Sequence, residues 1–261
     1  MSTATIDPVS HHTGNTHDTG DTVTSSKRPP MGSLRKTALA AGVLYLITFI
    51  SIPTLFLYSD VKDPNYLIGS GPVTPVLVGG LLEVIVALAG VGTAVVLYPV
   101  IKRQHQGVAL GFVGTRTLEG AGLIAGVVAL MTVVSLRQAG AGAAGLVTAK
   151  ALTSMYGWAF LFSGSLMPAL NALLLGSLLY RSRLVPRALP TLGLIGAPLL
   201  LASVFAIMFG AFASTSPQAL LLAIPIAVWE FSLGVYLIVK GFKPSPLTAG
   251  ITTAGAQPTA V

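Results

Sequence analysis

Six apolar runs leave this chain one kind of fold; they lie at about 37–58, 75–100, 108–134, 154–180, 189–212 and 218–240. Each supplies the roughly 20 residues that cross ~30 Å of hydrocarbon at ~1.5 Å per residue. No water is there to satisfy the backbone, so only helices or a closed barrel can cross. The short alternating strands of a barrel are absent. The expected fold is all-α, a polytopic bundle of six transmembrane helices. Only 9% of residues are charged, where a soluble domain carries about a quarter.

The flanks of these runs set the domains and the orientation. Residues 1–34 are polar, rich in Thr, Ser, Gly, His and Asp, and without periodicity, so they read as a disordered tail. They do not begin with a basic region running directly into an apolar stretch, and the first apolar run starts only at about Thr37, so a cleaved signal peptide is not expected; that run serves as an uncleaved signal anchor. The membrane domain is 35–243, and 244–261 reads as a second disordered tail. Lys27, Arg28, Arg35, Lys36, Lys102, Arg103, Arg181, Arg183, Arg187, Lys240 and Lys243 all fall on one side, against Lys62, Arg137 and Lys150 on the other. That asymmetry places both termini in the cytoplasm. Tyr58, Tyr66, Tyr156 and Trp158 are expected at the outer interface, and Tyr98, Tyr180 and Phe242 at the inner one.

Four ionisable residues stand inside the apolar runs: Glu83, Arg116, Glu119 and Glu230. A charge near the bilayer centre costs at least roughly 2.5–3.5 kcal/mol, so such residues turn into the bundle or line a wet cavity. Counting from the inner ends puts Arg116 roughly 12 Å deep, Asn171 roughly 13 Å, Glu230 roughly 15 Å and Glu119 roughly 16 Å; Glu83 comes out roughly 22 Å deep, nearer the outer face. Arg116 and Glu119 share a helix face at a spacing of three. Three carboxyl groups face one guanidinium, and burial disfavours charge, so at least one carboxyl is expected to hold a proton.

Small residues and prolines shape the helices around this layer. Gly122 with Gly126, and Gly90 with Ala94, form small-xxx-small faces for close helix packing. Pro168 lies three residues before Asn171 and Pro225 five before Glu230; with Pro198, each frees a carbonyl and can kink its helix. Leu97-Tyr98 and Leu110-Gly111-Phe112-Val113-Gly114 return at an offset of 82 as Leu179-Tyr180 and Leu192-Gly193-Leu194-Ile195-Gly196. That is the pattern of a parallel repeat, although Leu and Gly are common enough here to produce it by chance.

Several chemistries are excluded. The chain has no cysteine, hence no disulfide and no thiolate metal site. No histidine lies in a run, which argues against bis-histidine haem and a Ser–His dyad. His11, His12 and His17 stand alone in the tail, and His105 reads as a solvated loop residue. There is no His-Glu-x-x-His and no phosphate-cradling glycine loop, and aspartate is confined to the tail and to Asp60 and Asp63. No cofactor, no metal, no catalytic set and no nucleic-acid partner is expected, since the basic residues flank the spans.

The stretch Arg183-Leu184-Val185-Pro186-Arg187-Ala188-Leu189-Pro190, followed by Leu192-Gly193-Leu194-Ile195-Gly196, resembles the signature of a bacterial membrane family known as domain of unknown function 4386. Arg35-Lys36-Thr37 leading into Gly42-Val43-Leu44-Tyr45-Leu46-Ile47 is similar too. So are Gly111-Phe112-Val113-Gly114 before Arg116 and Glu119, and Trp229-Glu230 before Leu237-Ile238-Val239-Lys240-Gly241-Phe242. The resemblance covers about 35–243 and implies a six-helix integral membrane protein. It brings no activity with it. Two readings of the polar layer formed by Glu83, Arg116, Glu119, Asn171 and Glu230 remain open. One is a site for a proton or small solute in a transport protein. The other is an interhelical clamp in a non-catalytic membrane partner or assembly factor.

Overall fold

The computed structural model describes residues 32–63, 65–69 and 71–248. The expected tail from 1 to 31, with its three histidines, and residues 249–261 lie outside the described residues. The described chain is helical, with no strand. Six helical segments are long and apolar enough to cross a membrane: Ser33–Leu57, Thr74–Ile101, Gln106–Gln138, Gly142–Ser182, Ala188–Met208 and Pro217–Val239. They are called the first to sixth spans below. Each span packs on the next in sequence, and the sixth closes on the first. The result is a ring in which the third and sixth spans stand on opposite sides. With an even number of spans, both ends of the described chain lie at one end of the ring. The basic loops after the second and fourth spans lie there too, and it is called the basic end.

Two spans depart from straight helices for local reasons. The first runs as α-helix over Ser33–Ile47, tightens into a 3₁₀ turn at Thr48–Ser51 and ends in the short helix Thr54–Leu57. Pro53 has no N–H to continue the ladder. The hydroxyls of Thr48 and Thr54 donate to the carbonyls of Tyr45 (2.6 Å) and Ser51 (2.7 Å), the local bonds by which Ser and Thr bend helices. The fourth span is α-helical over Leu146–Leu161, widens into a π turn at Phe162–Leu166 and resumes at Met167–Ser182. Pro168 sits at the restart.

The third and fourth spans are longer than the apolar runs suggest. The third has 33 residues, ~50 Å of helix against ~30 Å of hydrocarbon. The two join through a tight turn whose Gly140 and Gly142 have φ of 70° and 53°, a region open to glycine. Against this protruding hairpin folds the connector between the first two spans. Tyr58, Val61, Tyr66, Leu67, Val76, Leu130, Val133, Val134 and Tyr156 form a separate apolar core there. Tyr58, Tyr66 and Tyr156 are therefore buried in protein, not set in a lipid-facing belt; Trp158 alone of the expected outer aromatics is half exposed. Arg137 pins the connector, donating to the Gly69 carbonyl at 2.8 Å and stacking over Tyr66.

At the basic end, residues 244–248 differ from the disordered tail expected there. The Lys243 N–H donates to the Leu184 carbonyl at 2.7 Å, the Ser245 hydroxyl to Ser182 at 3.1 Å and Arg103 to Leu247 at 3.3 Å. The first two satisfy carbonyls at and just past the end of the fourth span, which have no helical partners there. His105 also has a structural role: its Nδ1 accepts from the Val108 N–H at 3.2 Å and caps the third span.

Packing follows the small residues. Gly122 lies against Ser163, and Gly126 against Tyr156 and Ala159, so that face seats the fourth span as expected. A closer contact joins the first and sixth spans: a Cβ on Gly42 would stand 2.7 Å from the Gly234 carbonyl oxygen, which is backbone and cannot yield.

Candidate functional site

The centre of the ring is filled at mid-height by polar side chains. Arg116, on the third span, is 1% exposed. One terminal nitrogen donates to both carboxylate oxygens of Glu119, one turn along the same helix, at 3.0 Å each. The other donates to Glu230 of the sixth span at 2.7 Å. Asn171, fully buried on the fourth span, donates to Glu119 at 2.6 Å and accepts from the Thr115 hydroxyl. The guanidinium also lies 5.2 Å from the Tyr45 ring of the first span and 5.8 Å from Phe112, within the range where a ring face attracts a cation. Gly90 of the second span faces the guanidinium, where a Cβ would stand in ordinary contact at 3.9 Å.

Local sequence accounts for each placement. The spacing of three in Arg116-x-x-Glu119 is the helical neighbour distance. The π turn at Phe162–Leu166 and Pro168 loosen the fourth span just before Asn171. Pro225 interrupts the sixth span's ladder five residues before Glu230. Trp229, fully buried next to Glu230, packs on Gly193, where a Cβ would stand 2.5 Å from the ring. That contact fixes the rotation of the sixth span and points Glu230 at the axis.

The structure brings Arg116, Glu119, Asn171 and Glu230 together and sets Glu83 apart. Gly90 is level with Arg116, and Glu83 lies seven residues further toward the other end of the second span, ~10 Å along the helix. Glu83 is 1% exposed. It accepts from the Tyr156 hydroxyl at 2.8 Å, and the Tyr58 hydroxyl stands beside the same carboxyl. Tyr58 and Tyr156 meet edge to face at 5.4 Å. The Lys62 ammonium lies 5.0 Å from the Tyr156 ring centre and 5.8 Å from that of Tyr58. Burial holds Lys62 below the usual lysine range, against the pull of Glu83. Burial and the charge of Glu83 push the Tyr58 phenol up.

Sequence reading missed five members of these two groups: Tyr45, Thr115, Tyr58, Tyr156 and Lys62. Thr115 had a signal, since it is adjacent to Arg116 and one turn before Glu119. Tyr58 and Tyr156 had none, because an aromatic near a span end looks the same whether it faces lipid or protein. Among the described residues no group of three or more His, Cys, Asp or Glu side chains is placed to hold a metal ion.

A ring of six membrane-crossing helices closed on a buried charge centre defines a multi-pass helical membrane protein. The chain belongs to the family described as Domain of unknown function (DUF4386), whose model matches residues 40–241. That is the family its basic-loop and C-terminal motifs resemble. No curated protein and no solved structure matches the chain.

Proposed function

We propose that this chain is a small transport protein of the bacterial inner membrane, with both termini cytoplasmic, in which the Arg116 centre takes up and releases a proton coupled to passage of a small solute. One observation carries the reading: a single guanidinium is shared by two carboxylates that reach it from opposite sides of the ring. The pair Glu119 and Glu230 exceeds its counter-charge by one, in a low-dielectric layer where an uncompensated charge is costly. A proton corrects the excess. Glu230 makes the single bond across the ring, so a proton there is the one that loosens a contact between spans. When the proton binds a Glu230 oxygen, that carboxyl becomes neutral. Arg116 stays charged and paired with Glu119, and the tie between the third and sixth spans weakens. The π turn and Pro168 beside Asn171, and Pro225 before Glu230, supply the irregular helix that such a movement needs.

A second reading has its own support. Arg116 and Asn171 are 1% and 0% exposed, and neither of two surface cavities, of about 680 and 500 Å³, is lined by any member of the centre. A buried cluster of direct ion pairs suits a clamp that only fixes helix packing in a non-catalytic membrane partner.

Purified protein in liposomes loaded with a pH dye separates the two. The transport reading expects proton flux above that of empty liposomes, abolished by Glu230→Gln. Flux equal to that of empty liposomes sinks it and leaves the clamp. The chain lacks cysteine, so the same preparation reports orientation. In intact cells an impermeant maleimide should label Ser214→Cys and spare Gln104→Cys; the reverse pattern would invert the topology.

A further inference from the structure

The group around Glu83 is separate from the proton centre and has a different chemistry. Two tyrosine rings meet edge to face, and one phenol donates to a buried carboxylate at 2.8 Å. A phenol that donates to a carboxylate becomes more electron-rich, which strengthens the attraction of its ring face for a cation. The faces carry the Lys62 ammonium at 5.0 and 5.8 Å. Among the described residues the ion pairs within 4 Å are those of Arg116, so Lys62 is held by ring faces and by the more distant charge of Glu83, not by direct contact with it.

We propose that Tyr58, Tyr156 and Glu83 form a cation cage for a small alkylammonium ligand, and that Lys62 occupies it as a tethered competitor. Three further features fit. Gly79 is required for the cage's shape, since a Cβ there would stand 2.4 Å from the Tyr58 ring. Lys62 belongs to the connector and is an exposed residue, so its head can withdraw without unpacking a span. Asp60 and Asp63 flank it on the same connector and add negative potential where a cation would enter. Arg137, by contrast, anchors the connector at Gly69 and Tyr66, so release of Lys62 frees only the segment over the cage.

A tethered group competes at an effective concentration in the millimolar range. The wild-type protein should therefore bind n-butylammonium, which matches the head and stem of lysine, only weakly. Lys62→Met keeps the stem and removes the charge. In an NMR titration of folded protein in detergent, Lys62→Met should bind n-butylammonium at least about tenfold more tightly than wild type. Adding Glu83→Gln should remove that gain, and n-butanol, of the same shape without charge, should not bind. Equal affinity in wild type and Lys62→Met would overturn the proposal, as would equal binding of n-butanol or indifference to Glu83→Gln. Lys62→Gln carries the same test should the methionine variant fail to fold. The cage does not depend on proton flux at Arg116.

Discussion

Glu119 and Glu83 are both buried carboxyl groups, yet their partners are of opposite kinds. Glu119 has a guanidinium against both its oxygens at 3.0 Å, plus an amide at 2.6 Å. Glu83 has a phenol at 2.8 Å, and its cation stands behind tyrosine rings. The first arrangement ties three spans directly, because Arg116 also reaches Glu230. The second joins the second span to the fourth and to the connector that follows the first. A buried charge bound by direct ion pairs is costly to break from either side. A buried acid held by a neutral donor can lose that donor and survive by taking a proton. The contrast separates a centre on which the bundle depends from a site that can change occupant.

The largest effect is expected from Arg116→Ala. It leaves Glu119 and Glu230 facing each other across the axis with no cation. In soluble proteins, breaking one side of such a pair costs on the order of 3–5 kcal/mol; proton uptake by either acid lowers this in a membrane bundle. Arg116→Ala should give the lowest melting temperature of the variants discussed here, measured in detergent. A second change should recover part of the loss. Glu119→Gln should recover more than Glu230→Gln, because Glu119 is the more enclosed and loses two bonds. A neutral Arg116→Ala, with no coupling to either acid, would mean that the guanidinium reaches for the interface and that the centre does not hold the ring.

Much of that centre was legible because charge is rare in these spans. Four ionisable residues in six apolar runs mark themselves, and depth counting aligned Arg116, Asn171, Glu119 and Glu230 in one layer. The same count placed Glu83 further out, and the structure separates it. Ring closure was not legible. It depends on Gly42 meeting Gly234 between the first and sixth spans, and a lone glycine in a glycine-rich chain carries no pairing information. The cap at the end opposite the basic loops was misread for a physical reason. Tyr58, Tyr66 and Tyr156 sit where interfacial aromatics belong, and only the extra length of the third and fourth spans gives them protein to pack on. Residues 244–248 have tail-like composition, yet Ser245 and Leu247 are tied to the bundle by side-chain bonds to main-chain carbonyls, which composition does not register.

Asn171→Ala tests the centre at its margin. The substitution removes a donor from Glu119 and an acceptor from Thr115. Leaving buried polar groups without partners costs about 1–3 kcal/mol, so the loss should be clear but smaller than that of Arg116→Ala. Thr115 can turn back to the Gly111 and Phe112 carbonyls, which it already reaches at 3.0 and 3.1 Å. Glu119 has only Arg116 left. The stability loss should therefore shrink when Glu119→Gln is added. Simple additivity of the two changes would place Asn171 outside the network, as a packing residue.

The smallest effect is expected from Tyr156→Phe, and it is the sharpest test of the comparison. The ring stays, so its edge-to-face contact with Tyr58 and its face under Lys62 are retained. Only the hydroxyl bond to Glu83 is lost, worth about 1 kcal/mol net, or up to about 3 if the acid finds no other donor. The Tyr58 hydroxyl stands against the same carboxyl and can take over, which puts the expected loss at the lower figure. Tyr58→Phe alone should likewise be mild. The double variant should exceed the sum of the two, because the carboxyl then has no phenol left and must be neutral or reached by Lys62. That excess is the signature of a site with interchangeable partners. Comparable losses from Tyr156→Phe and Arg116→Ala would erase the distinction between the two groups and make Glu83 as integral to the bundle as Glu119.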